Sequence, residues 1–214
     1  MITRAACAIA LLAVTACDPV GDPEQASGTS EFIAELSSRL ASAATSTYTA
    51  TYTIGGGVSG TIAQAQAPAR VAYTYPSGIT VTTPAGTTQC VRGNEMTCTR
   101  GVTSAQMAIG IQSGGLIRPE TVISMLNTTA MDADAIISES DTSFAGIPAT
   151  CVQVTNPNGP DGYDACVTST GLLGSFNGTV GGAHIVMALN RLNLTVADDA
   201  FTLPAGAKIV KPPG

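Results

Sequence analysis

Polar and apolar positions alternate strictly along "TYTATYTI": Tyr48, Ala50, Tyr52 and Ile54 fall on one side, Thr47, Thr49, Thr51 and Thr53 on the other. A period of two marks a strand with one face toward a core. Gly55-Gly56-Gly57 turns the chain into "VSGTIAQ", and "RVAYTY" then sets Val71, Tyr73 and Tyr75 together. Pro76-Ser77-Gly78 leads into "ITVTT", and Pro84-Ala85-Gly86 into a further hairpin. Turn signals at such regular intervals predict a meander of short antiparallel strands. Strands resume in "AIISESDTSFAGIPATCVQVTN", "GYDACVTS", "LLGSFNGT" and "AHIVMALNRLNLTV".

Two stretches keep a helical period instead. In "SEFIAELSSRLASAA", Phe32, Leu36, Leu40 and Ala43 recur three and four apart, with Ser30 at the N-cap and Glu31 in the first turn. Mid-chain, Pro119 at a first helical position and the stripe Val122, Ile123, Met125 and Leu126 predict a helix over about 119–127, with another near 104–110. The order helix, strands, helical insertion, strands predicts an α+β domain, an antiparallel sheet with helices against one face. The prolines and Gly206 of "DDAFTLPAGAKIVKPPG" close the ordered domain.

The beginning of the chain follows neither pattern. Arg4 precedes an apolar run, Ala5 to Val14, of about ten residues. A membrane span needs about 20, whereas ten suits the apolar region of an export signal. The run ends in Val14-Thr15-Ala16-Cys17, which resembles the bacterial lipobox. That resemblance implies cleavage after Ala16 and a diacylglyceryl thioether on Cys17. Each buried acyl CH₂ contributes about 0.8 kcal/mol, and two or more chains anchor stably. The mature protein is expected on the extracytoplasmic face of the cell membrane, lipid-anchored, with residues 17–29 as a flexible tether.

Export brings an oxidising compartment, so the remaining cysteines Cys90, Cys98, Cys151 and Cys166 are expected to pair. Four cysteines allow three connectivities, and the hairpins choose among them. In "CVRGNEMTC" a loop of Gly93-Asn94-Glu95 sets Arg92 against Met96, Val91 against Thr97 and Cys90 against Cys98. In "CVQVTNPNGPDGYDAC" the turn-rich centre sets Val154 against Tyr163, Val152 against Ala165 and Cys151 against Cys166. The expected disulfides are Cys90–Cys98 and Cys151–Cys166.

Composition narrows the function classes. Of 214 residues, 198 remain once a 16-residue leader is removed, enough for one domain with a sizeable core. The whole chain carries a formal charge of −6. An acidic balance disfavours nucleic acid, which requires clustered Lys and Arg. His184 is the sole histidine and lacks a G-x-S-x-G nucleophile elsewhere, so a strand-surface role is expected of it. Asp132, Asp134, Asp198 and Asp199 are read as solvated loop carboxylates, and Gly55-Gly56-Gly57 lacks the lysine of a phosphate loop. No catalytic residue, metal or cofactor is expected. Tyr48, Tyr52, Tyr73 and Tyr75 admit two readings: lining for an apolar ligand groove, or simply the core face of the sheet. Their regular alternation favours the core.

The lipobox, the N-terminal helix leading into Tyr/Thr strands, the mid-chain helices, "FAGIPATCVQV", "YDACVTSTGLLGSF" and "FTLPAG" together resemble bacterial, in particular actinobacterial, lipoproteins and carriers of the LolA/LolB and LppX/LprG type. The resemblance covers most of residues 30–210, leaving 211–214 as a tail. It implies a curved half-barrel sheet packed against the helices and enclosing an apolar cavity for acyl chains. It further implies a non-enzymatic envelope lipoprotein that binds or transfers a lipid or other apolar ligand. The chain departs from the group in having no tryptophan, four phenylalanines and two disulfides. Those departures set a side-chain-filled interior, and a protein-interaction or sensing module without a ligand cavity, against the lipid-binding reading.

Overall fold

The computed structural model describes residues 23–156 and 162–211. The stretch 1–16 read as a leader, Cys17 with the first residues of the expected tether (18–22), and residues 212–214 of the tail lie outside them. Helix α1 (Pro23–Ser42) begins seven residues before Ser30, inside the stretch read as a tether. Pro23 stands at the first position, where its missing N–H costs nothing. Ser30 is therefore not an N-cap; its hydroxyl donates to the Ala130 carbonyl at 3.4 Å. The buried stripe is Ile33, Leu36, Leu40 and Ala43, with Phe32 only half-buried.

A first meander follows: β1 (Tyr48–Ile54), β2 (Val58–Gln66), β3 (Ala69–Tyr75), β4 (Gly78–Thr83), β5 (Gly86–Arg92) and β6 (Met96–Arg100). Helices α2 (Ser104–Ser113) and α3 (Pro119–Thr129) come next, each slightly longer than its sequence pattern predicts. The second meander is β7 (Ile136–Phe144), β8 (Ile147–Thr155), β9 (Tyr163–Thr168), β10 (Leu173–Val180) and β11 (Ala183–Asn193). A short β12 (Lys208–Val210) ends the described chain.

The twelve strands among the described residues belong to one sheet, ordered β12-β6-β5-β4-β3-β2-β1-β11-β10-β9-β8-β7. The two meanders meet where β1 pairs with β11. Helices α2 and α3 carry the chain from one flank of the sheet to the other. The protein is α+β, but its sheet is a large, curved, open one, more extensive than a half-barrel wrapped on helices. Pairing is antiparallel except between β12 and β6, which run parallel.

Each face of the sheet carries its own core. On the helical side, Tyr52, Ile62, Phe176 and Ile185 pack with Leu36, Leu40, Ile111 and Leu126, and Leu116 and Ile117 of the α2–α3 loop plug the centre. Leu116 lies so close that a Cβ on Gly60 would stand 2.8 Å from its Cδ2. Burial of each such aliphatic side chain contributes about 1.5–3 kcal/mol. On the opposite side, Ala63, Ala72, Ile79, Val81, Cys90 and Cys98 are covered by Phe201, Val196, Leu203 and Ala207. The C-terminal segment is thus a packed part of the domain, a role its aperiodic sequence does not announce.

Candidate functional site

Helix α3 turns Val122, Leu126 and Thr129 into the core. Positions three and four apart share a helix face, so Met125 and Thr128 fall on the neighbouring one. That face meets the ends of β8, β9 and β10 across a cleft of about 320 Å³. Met125, Ala135, Val154, Tyr163 and Val180 supply an apolar lining, and Ser124, Thr128, Asp132 and Asn156 a polar rim.

Hydrogen bonds fix this geometry. The Thr129 and Tyr163 hydroxyls are 2.9 Å apart. The Tyr163 ring stacks on Phe176, with centroids 6.1 Å apart and planes inclined by 21°. Gly178 faces Tyr163 across the β9–β10 pair, where a Cβ would stand 2.7 Å from that of Tyr163. Asp132 closes the rim, its Oδ2 accepting from Asn156 Nδ2 at 2.6 Å and its Oδ1 from the Asp134 backbone N–H at 3.0 Å. Burial raises the pKa of the Tyr163 hydroxyl, against a smaller opposing effect of its hydrogen bond with Thr129. The result is a neutral, mostly apolar recess with a carboxylate at its edge. It suits an apolar or amphipathic body held by contact area and oriented by the rim.

The four tyrosines singled out by their alternation lie elsewhere. Tyr48, Tyr52, Tyr73 and Tyr75 are 1–5% exposed and belong to the helical-side core. Tyr52 donates to the Leu173 carbonyl at 3.0 Å, and the Tyr75 and Thr80 hydroxyls are 3.1 Å apart. None of the four lines the cleft, so their place is the sheet's core face and not this recess. Burial pushes the Tyr48 hydroxyl up to about 12 and those of Tyr52 and Tyr73 well above the ordinary tyrosine value. The residue missed was the fifth tyrosine, Tyr163, whose only part in the sequence pattern was to set a hairpin register.

Both disulfides are present with the expected registers. Cys90 bonds Cys98 across β5 and β6 at 2.01 Å, and Cys151 bonds Cys166 across β8 and β9 at 2.03 Å. His184 is exposed on β11 opposite Thr179, beside Gln153, Asp164 and Asn177 in a separate recess of about 310 Å³. There Asn177 Nδ2 donates to Asp164 Oδ2 at 3.3 Å. Among the described residues, no helix is long and apolar enough to cross a membrane.

No protein-family model matches the chain, and no curated protein matches it. The fold is similar to the crystal structure of an uncharacterized conserved protein from Thermus thermophilus. The TM-score is 0.50 at 10% identity, over 83% of this chain and 98% of that one. At that identity the likeness concerns the fold alone.

Proposed function

We propose that this protein is an acyl-anchored lipoprotein of the bacterial envelope that binds a small apolar or amphipathic ligand, without catalysis. The observation that carries the reading is the cleft between α3 and β8–β10, apolar inside and polar at its rim. Its volume, about 320 Å³, falls at the lower end of the usual 300–1,000 Å³ for ligand sites. Such a recess takes one end of a lipid or a compact apolar molecule rather than a whole multi-chain lipid. Binding is equilibrium partition into the recess, and an anchor at Cys17 raises the local concentration at the bilayer. The curved sheet with helices on one face supports a LolA/LppX-like arrangement enlarged beyond a half-barrel, in which the interior is largely occupied by the protein's own side chains.

A second reading has its own support. Tyr52, Phe176, Leu36 and Leu126 fill the space under the sheet, which favours a protein-interaction or sensing module with no ligand. The two separate on recovery of the protein from its native membrane and mass spectrometry of co-purified lipids. A ligand retained by the wild type and lost on Ala135→Phe, which fills the cleft, supports the first reading. A wild type that carries none favours the second.

A further inference from the structure

One end of the molecule combines the cleft, two exposed apolar side chains and the N-terminal part of α1. Met131, in the turn after α3, is 81% exposed, and Ile136, the first residue of β7, is 58% exposed. Their chain neighbours Asp132 and Ala135 line the cleft. Met131 therefore stands at its lip. Ile136, which pairs with Thr155 and alternates with the core-facing Ala135 and Ile137, borders the same end of the sheet from its other face. Exposed apolar surface of this kind marks a partner or a membrane.

The course of α1 says which. The Ser30 hydroxyl donates to the carbonyl of Ala130, the residue before Met131. Farther along α1, a Cβ on Gly171, in the β9–β10 turn, would lie 2.5 Å from the Arg39 carbonyl oxygen. That turn is at the opposite end of β9 from the cleft, so α1 runs away from the lip. Cys17 stands six residues ahead of Pro23, a reach of about 20 Å when extended. Pro23 in turn is separated from Ser30 by about 10 Å of helix. A lipid on Cys17 tethers the cleft end of the molecule, and not the far end, to the bilayer.

We infer that this end of the molecule is a membrane-docking face: Met131 at the lip and Ile136 at the adjoining sheet edge enter the interfacial layer of the bilayer that holds the anchor, and the cleft opens onto lipid. This rests on the acylation of Cys17 proposed above. Transfer of each side chain out of water favours the docked state by roughly tenfold or more. Asp132 and Asp134 at the same lip set the lipid preference. An anionic surface repels them, so docking is tighter on phosphatidylcholine than on phosphatidylglycerol.

The chain contains no tryptophan, so single-tryptophan reporters test the inference directly. Met131→Trp marks the lip. Leu194→Trp marks a residue that is 74% exposed, beyond the far end of the 11-residue strand β11 from the cleft. Each full-length acylated variant is reconstituted in phosphatidylcholine vesicles with brominated acyl chains, and its intact mass is measured. The Met131→Trp reporter is expected to be quenched about threefold more than the Leu194→Trp reporter, as suits a side chain about 5–10 Å into the headgroup boundary. Equal, weak quenching in chains whose mass carries the acyl groups overturns the docking face and leaves the anchor standing. A mass showing Cys17 bare overturns the anchor, and the docking face with it.

Discussion

The hydroxyls of Thr129 and Tyr163 lie 2.9 Å apart, joining the last residue of α3 to the first residue of β9 beside the cleft. Thr129 is only 8% exposed. Tyr163→Phe therefore leaves a buried hydroxyl without this partner, at a cost of about 1–3 kcal/mol. Removing both groups, in Tyr163→Phe with Thr129→Val, recovers most of that loss. Urea unfolding of the two single variants and the double variant measures the coupling, and strict additivity would refute it.

Alkaline sensitivity follows from the buried tyrosines. Tyr48 is raised from 10.0 to about 12, first by burial and then by the Glu120 carboxylate, and burial also raises Tyr52 and Tyr73. A raised folded-state value means that the unfolded chain loses the proton first. Stability is then complete below pH 10 and falls as pH rises toward 12. Tyr48 alone accounts for roughly 2–3 kcal/mol across that window, at about 1.4 kcal/mol per pH unit. Urea unfolding at a series of pH values, with tyrosinate absorbance followed in parallel, is expected to show folded protein still protonated above pH 10.

The C-terminal segment is held by one ring more than by its ion pair. Phe201 is 8% exposed, with the Arg70 guanidinium 4.3 Å from its centroid. The Arg70–Asp198 pair is 2.8 Å long, but the Asp198 side chain is 90% exposed. Exposed pairs contribute less than about 1 kcal/mol, while loss of a packed phenyl ring costs about 3–5 kcal/mol. Phe201→Ala is expected to destabilise the domain and to speed reduction of the Cys90–Cys98 disulfide beneath it. Asp198→Asn is expected to do neither. Dithiothreitol reduction rates compare the two.

Gly114 ends α2 directly against the buried ring of Tyr75, where a Cβ would lie 2.4 Å from the ring's Cγ. The backbone there is ordinary, so the obstacle is contact and not conformation. Gly114→Ala should cost about 1–3 kcal/mol through displacement of the ring. Pairing it with Tyr75→Ala, which removes the Cγ, Cδ1 and Cδ2 atoms that the new Cβ would meet, should make the alanine nearly neutral relative to Tyr75→Ala alone. Thermal unfolding reads both.

Some of this was legible in the chain because a period-two pattern leaves little freedom of register. Shifting Cys90–Cys98 or Cys151–Cys166 by one residue would turn each hairpin's apolar side chains outward, and the observed pairings avoid that. Tyr48, Ala50, Tyr52 and Ile54 are buried in the alternation their sequence displays. The N-terminal stripe differs by one position from its sequence pattern because Phe32 and Ile33 are both apolar, and local spacing does not decide between them. The beginning of α1 was hidden by "PEQASGT", which carries no apolar period. Val196, Phe201, Leu203 and Ala207 were unreadable for another reason. They pack as an irregular strap, and their partners Ala63 and Ala72 are small residues that seldom advertise a second core. The cleft has no local signature at all. It arises only when Met125 and Thr128 are brought to Val154, Tyr163 and Val180 by long-range packing.

The seam between β1 and β11 joins residues such as Thr49 and Asn193, more distant in the chain than any neighbours within either meander. Closing so long a loop is entropically slow, while hairpins close early. Each meander can therefore assemble from its own turns before the centre of the sheet zips up. The α2–α3 link, crossing beneath, serves as a leash that raises the effective concentration of one half for the other. A backbone nick at Gly114–Gly115 would remove that leash while cutting no strand, making the molecule a natural candidate for split-fragment reassembly.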